Sequence, residues 1–175
     1  MSLVVFFRGV NVGGHKAFRP SALAKQLAEL DVASVGAAGT FVIRKNVGQS
    51  ALRSAIRQKL PFEPEMMIVA ARDVVDLAAA DPFSAASAGA DVVKYLSVLA
   101  KRPGVVPKLP VERPGADDWQ VKLFEIRGRF VLSLHRRLGR RLIYPNEVVE
   151  KTFGVPATTR NWNTINAVCD VLRRG

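Results

Sequence analysis

Cysteine and histidine are scarce in this chain of 175 residues, which contains one Cys and two His. The single Cys169 excludes a disulfide framework and every zinc motif built from several cysteines. The acidic pairs Asp117-Asp118 and Glu147 with Glu150 do not lie in an oxygen-rich loop of the calcium-binding kind. We therefore expect neither a metal site nor a cofactor.

Long hydrophobic runs are also missing. No window approaches the roughly 20 apolar residues that span a bilayer. The apolar run Leu3–Phe7 lacks the basic leader and the length of a signal peptide. Apolar residues still make up 49% of the chain, enough to bury a core. We expect a soluble, cytoplasmic protein with no membrane partner.

Acidic residues are outnumbered, since 26 Lys and Arg face 15 Asp and Glu and give a net charge of +11. The first 90 residues carry +3 and the remaining residues carry +8. Such an excess favours an anionic partner, whether a small ligand or a nucleic acid, but says nothing about the fold. It also leaves the oligomeric state open.

The first half of the chain predicts the order strand, helix, strand, strand, helix, strand. The strands are Leu3–Phe7, Val32–Val35, Thr40–Ile43 and Met66–Ala70, and the helices begin near Ser21 and Ser50. The apolar stripe of the first helix includes Leu23, Leu27 and Leu30. This order is typical of a ferredoxin-like βαββαβ unit, an antiparallel sheet with two helices on one face.

The second half predicts a related antiparallel sheet. Val92–Leu99 is a strand, and a hairpin joins Trp119–Ile126 to Phe130–His135 through Gly128. A short helix, Asn146–Phe153, and a long C-terminal one, Asn161–Arg174, follow. We predict an α+β protein of two subdomains, residues 1–83 and 84–175.

A glycine-rich loop follows the first strand and contains Arg8, Asn11, Gly13 and Gly14. Glycines let backbone N–H groups approach an anion without obstruction from a Cβ atom. The loop is not a nucleotide-binding P-loop, because His15-Lys16-Ala17 stands where Lys and then Ser or Thr are needed. The alternative is a tight turn in which Arg8 and Asn11 make local hydrogen bonds.

A second polar segment, Thr158-Thr159-Arg160-Asn161-Trp162-Asn163-Thr164, precedes the apolar face of the last predicted helix. A helix that begins at Thr158, Thr159 or Asn161 presents free N–H groups to an anion, and Arg160 adds a planar charged fork. The alternative is that Thr and Asn only cap the helix while Trp162 packs in the core.

These two segments, together with Asp81-Pro82-Phe83, resemble the domain of unknown function 1697 family over almost the whole chain. The resemblance implies an α+β fold of two subdomains in small, mostly bacterial, soluble proteins with no established activity. Family members commonly have Gln-Ser-Gly-Asn at the first hairpin, where this chain has Ala37-Ala38-Gly39-Thr40. If those side chains belong to a family site, this chain has lost part of it.

Three functional hypotheses follow. In the first, the two polar segments meet and bind a small phosphate- or nucleotide-like anion through Arg8, Asn11, Gly13, Gly14, Thr158, Thr159, Arg160, Asn161 and Asn163. In the second, nucleic acid binds the cluster of Arg136, Arg137, Arg140 and Arg141, with Trp119, Phe124 or Phe130 stacking on bases. In the third, an enzyme of unknown reaction uses His15 as acid or base at the first site.

Overall fold

The structure is a computed structural model that describes residues 1–11, 14, 17–86 and 89–174. It divides into two compact units, residues 1–80 with 163–175, and residues 81–162. The predicted subdomain boundary between residues 83 and 84 stays a prediction.

The first unit contains a four-stranded sheet. Its strands are β1 (Leu3–Arg8), β2 (Val32–Val35), β3 (Thr40–Ile43) and β4 (Glu65–Ala70), in the order β2-β3-β1-β4 with every pair antiparallel. The central strand β1 is buried from Leu3 to Phe7, as its continuous apolar run predicts. The α+β class is confirmed, while the ferredoxin-like assignment of this sheet stays a prediction.

Within the described residues, this unit contains the helices α1 (Pro20–Gln26), α2 (Gln49–Lys59), α3 (Ala71–Ala79) and, from residue 163 onward, α5 (Trp162–Arg173). Leu23, Leu27, Leu52 and Ile56 pack into one core with the apolar side chains of the sheet. The predicted first helix is too long by one turn. The Leu27 N–H is shared between two carbonyls, and Ala28–Leu30 continues as a tighter 3-10 turn.

The second unit contains a five-stranded sheet covered by one helix. The strands are β5 (Val92–Leu99), β6 (Val111–Arg113), β7 (Val121–Arg127), β8 (Phe130–Arg136) and β9 (Ala157–Asn161), and the order is β6-β7-β8-β5-β9. Helix α4 (Pro145–Phe153) packs Val148, Val149 and Phe153 onto this sheet. The predicted β7–β8 hairpin is confirmed, with Gly128 at a φ of +63° in its turn.

One sequence-based prediction about this unit is wrong. Residues 158–161 are not the first turn of a helix but belong to β9, where Thr159 pairs with Ser97 and Arg160 with Leu96 of β5. The adjacent β-branched residues Thr158 and Thr159 suit a strand better than a helix start. Helix α5 begins only at Trp162.

Among the helices of the described residues, none has both the length and the apolar character needed to cross a bilayer.

Candidate functional site

The glycine-rich loop is held by its own polar side chains. Arg8 ends β1, and its Nη1 pairs with Glu65 Oε2 of β4 at 2.9 Å. Asn11 adopts a φ of +56°, donates from Nδ2 to the Ala37 carbonyl at 3.1 Å and accepts from the Phe18 N–H at 2.9 Å. Of these contacts, only the one between Asn11 and the Phe18 N–H is local in sequence, as the alternative interpretation of this loop expects, whereas Glu65 and Ala37 are distant in sequence. Gly14 has a φ of +78°, while Gly13 and His15 lie outside the described residues.

The second predicted segment places its polar groups on both faces of β9. Arg160 is 6% exposed, and its Nη1 donates to Thr158 Oγ1 at 2.7 Å and to the Thr159 carbonyl at 3.0 Å. Burial lowers the pKa of Arg160 to about 10. On the other face, Thr159 Oγ1 donates to Asn146 Oδ1 at 2.9 Å and lies 2.6 Å from Ser97 Oγ. These hydroxyl and amide groups tie α4 to β5 and β9.

The predicted ligand residues divide between the two units. Among the described residues of this set, the first unit holds Arg8, Asn11, Gly14 and Asn163, and the second holds Thr158, Thr159, Arg160 and Asn161. Their meeting around one anion therefore stays a prediction.

The four arginines of the predicted nucleic-acid cluster differ in their surroundings. Arg136 donates from Nε to the Trp119 carbonyl at 2.6 Å and from Nη2 to the Asp117 carbonyl at 3.0 Å, and its guanidinium lies 4.2 Å from the Trp119 ring centre. Arg137, Arg140 and Arg141 are exposed. Arg136 thus serves the fold, and only the other three present their charge to solvent.

The aromatic rings proposed for base stacking already have partners. Lys122 Nζ lies 4.8 Å from the Trp119 ring centre, so two cations contact that ring. Phe124 packs edge-on against Phe83 at 5.4 Å, and Phe130 is buried. These contacts weaken the case for a stacking platform of the kind that single-stranded nucleic acids need.

Sequence reasoning missed a cavity of about 610 Å³ in the second unit. Its wall carries the charged side chains of Arg113 at the end of β6, Arg141 in the segment before α4, and Glu147 and Lys151 on α4. We call it the basic cavity, because three cations outnumber one carboxylate there. The apolar part of its wall is formed by Pro114, Leu142, Ile143 and Val148.

Backbone pairing and one buried amide position the cations of the basic cavity. Arg113 pairs with Val121 across the β6–β7 ladder, which puts it on the face that α4 covers. Gln120, 7% exposed, donates from Nε2 to the Arg141 carbonyl at 2.9 Å and accepts from the Ile143 N–H at 3.1 Å. The segment that carries Arg141 is thereby fixed to the start of β7.

The charged groups of the basic cavity are not neutralised by neighbours. Among the residues that the structure describes, none of Arg113, Arg141, Glu147 and Lys151 forms an ion pair. Glu147 and Lys151 are four residues apart on α4, a spacing at which such pairs commonly form. Their charges are therefore available to a ligand.

His135 lies on β8 beside this segment. Burial lowers its pKa, a backbone hydrogen bond with Ile143 raises it, and the charge of Arg137 lowers it. The His135 Nε2 atom is buried and has no hydrogen-bond partner among the described residues. The described part of the chain also holds no group of three or more His, Cys, Asp or Glu side chains that could bind a metal ion.

Two antiparallel sheets packed with helices define an α+β protein, and its second unit contains the basic cavity. The chain belongs to the family described as protein of unknown function (DUF1697), whose model matches residues 1–126. The family resemblance seen in the sequence is thereby confirmed. No curated protein matches the chain.

A conserved bacterial protein from Streptococcus pneumoniae has a similar structure. The two share a TM-score of 0.55 over 95% of this chain and 96% of that chain, with 16% sequence identity. At this identity the similarity concerns the fold alone.

Proposed function

We propose that this protein binds a small anionic ligand in the basic cavity. The observation that carries the proposal is the meeting of Arg113, Arg141 and Lys151 on one wall with a single carboxylate, Glu147. This wall has a net charge of +2, which a dianion neutralises. Sites for small ligands in proteins commonly have volumes of about 300–1,000 Å³, and the volume of about 610 Å³ falls within that range.

Arginine supports this proposal through its geometry as well as its charge. A guanidinium donates two parallel hydrogen bonds to a phosphate or carboxylate, and such charge-assisted bonds are stronger than neutral ones. Arg113 donates from Nη1 to the Glu112 carbonyl at 2.9 Å, which leaves other N–H groups of its fork for a ligand. The Arg141 side chain makes no hydrogen bond among the described residues.

The experiment is a calorimetric titration with inorganic phosphate at constant ionic strength. Arg141→Ala should weaken binding by roughly tenfold or more, because a hydrogen bond to a charged group contributes about 1.5–3 kcal/mol. Arg140→Ala is the matched control. It removes the same charge from the neighbouring residue, whose side chain does not line the cavity. Equal losses of phosphate affinity in the two variants would argue against binding in the basic cavity.

Nucleic-acid binding is the second candidate, favoured by the exposure of Arg137, Arg140 and Arg141. That function predicts affinity that falls steeply with salt and depends about equally on Arg140 and Arg141, because phosphate backbone contacts are additive charge effects. The same two variants, tested with a single-stranded oligonucleotide, therefore separate it from the first candidate.

The predicted site at the terminal polar segments stays a second proposed location for the anion. Arg8 and Arg160 would provide its charge. Its support is weaker than that of the basic cavity, because Arg8 already pairs with Glu65 and Arg160 bonds to Thr158 and Thr159 within its own strand. We propose no reaction at either place.

A further inference from the structure

We infer that the basic cavity is built for a nucleoside monophosphate, an inference that rests on the proposed anion binding. Three features of the cavity wall carry it: the net charge, an unpaired carboxylate, and an apolar section. Each matches one part of such a nucleotide. A bare anion such as inorganic phosphate or sulfate would satisfy only the first.

The carboxylate of Glu147 is the feature that a bare anion does not explain. It lies on the same wall as Arg113, Arg141 and Lys151, yet it pairs with none of them among the described residues. A carboxylate repels an anionic group but accepts hydrogen bonds from hydroxyl groups through both oxygens. The two neighbouring hydroxyls of a ribose suit that acceptor, while the phosphate is held by the arginines.

The apolar section of the wall accounts for the remainder of the ligand. Pro114 and Leu142 flank the two arginines in sequence, and Ile143 and Val148 continue this surface. Ligand cavities that combine an apolar wall with a few polar groups hold a flat apolar body and fix its orientation through the polar contacts. A nucleobase provides such a body, and inorganic phosphate would leave most of the 610 Å³ filled with water.

The net charge of the cavity wall also agrees with a nucleoside monophosphate. A phosphomonoester is close to a dianion at neutral pH. The wall carries three cations and one carboxylate, so the complex with a nucleoside monophosphate is close to neutral. A nucleoside without phosphate would leave the arginines unpaired, and we expect it to bind weakly.

The test compares adenosine monophosphate with inorganic phosphate, with ribose phosphate and with the dideoxy analogue that lacks both ribose hydroxyls. Calorimetric affinities are measured for wild type and for Glu147→Gln. In wild type, adenosine monophosphate should bind more tightly than ribose phosphate. Its affinity should also exceed that of the dideoxy analogue by about tenfold or more. In Glu147→Gln that gain from the hydroxyls should shrink to about twofold, while inorganic phosphate binds no more weakly than before.

The outcomes separate this inference from the proposed function. If phosphate binds in an Arg141-dependent manner but adenosine monophosphate binds no more tightly, the nucleotide is wrong and anion binding stands. An unchanged hydroxyl gain in Glu147→Gln also overturns the inference. If neither compound binds, the proposed function fails as well. The dideoxy analogue tests the contribution of the ribose hydroxyls without any change to the protein, so that part of the result does not depend on how the variant folds.

Discussion

Gln120 Nε2 donates a hydrogen bond to the backbone carbonyl of Arg141 across 2.9 Å. With the bond that Gln120 Oε1 accepts from the Ile143 N–H, one buried amide fixes a segment rich in arginine to the start of β7. Long side chains lose less entropy on binding a ligand when their backbone is already held in place. Gln120 is thus a positioning residue for the basic cavity.

Replacing Gln120 by Ala should lower the free energy of unfolding by about 1–3 kcal/mol, because the Arg141 carbonyl and the Ile143 N–H lose their partner. Urea denaturation measures this change. Gln26→Ala at the exposed end of α1 is the control and should change the free energy by less than about 0.5 kcal/mol. Similar losses in both variants would show that the two bonds contribute little.

His135 should make the protein less stable in mild acid. Its pKa in the folded state is lowered from 6.5, chiefly by burial, so the unfolded chain binds the proton more readily. Stability from this source is present above the unfolded pKa and is lost as the pH falls through the folded one. Thermal unfolding from about pH 7.5 to about pH 5 should show a larger loss for wild type than for His135→Gln. Parallel pH profiles would contradict the burial of this imidazole.

Gly39 and Gly36 form a matched pair in the β2–β3 turn. Both have positive φ values, +74° and +66°, but a Cβ on Gly39 would meet Phe7 Cβ at 2.8 Å, whereas one on Gly36 would meet nothing within 4 Å. Gly36→Ala should cost about 1 kcal/mol for the backbone conformation alone. Gly39→Ala should cost about 1–3 kcal/mol more, because the core around Phe7 is tightly packed. Equal costs in urea denaturation would show that the turn can move away from Phe7.

Arg160 separates the two proposed locations of the anion. Because it is buried and bonds to Thr158 and Thr159, we expect Arg160→Met to change stability and to leave the affinity for inorganic phosphate within about twofold. Arg160→Lys, which keeps the charge, serves as a second variant in case the first fails to fold. A loss of phosphate affinity comparable to that in Arg141→Ala would instead support an anion site at the glycine-rich loop and residues 158–164.

Much of the fold could be predicted because local signals agreed with the tertiary structure. β2, β3 and β5 have the predicted bounds, and glycines with positive φ lie in the turns of both predicted hairpins. The segment at residues 158–161 misled the prediction because Thr is common both at helix starts and in strands, while Asn is more typical of a helix start than of a strand. The pairing of Thr159 with Ser97, more than sixty positions away, decided the outcome, and no local pattern contains it.

The basic cavity could not be predicted from the sequence for a similar reason. Arg113 and Arg141 come from different elements, and the Pro-rich passage that precedes Arg113 gave no sign of the short strand β6. The available signals were the arginine run and the spacing of Glu147 and Lys151 on one helix. Each of them alone is typical of a solvated surface, and the β6–β7 pairing together with the two Gln120 hydrogen bonds brings the elements together.

The most direct test of anion binding in the basic cavity is a titration of isotopically labelled protein with inorganic phosphate, followed by backbone amide NMR shifts at constant ionic strength. We expect saturable shifts at Arg113, Gln120, residues 141–143 and residues 147–152. Shifts confined to residues 8–14 and 158–163, or no saturable shifts at all, would contradict the account.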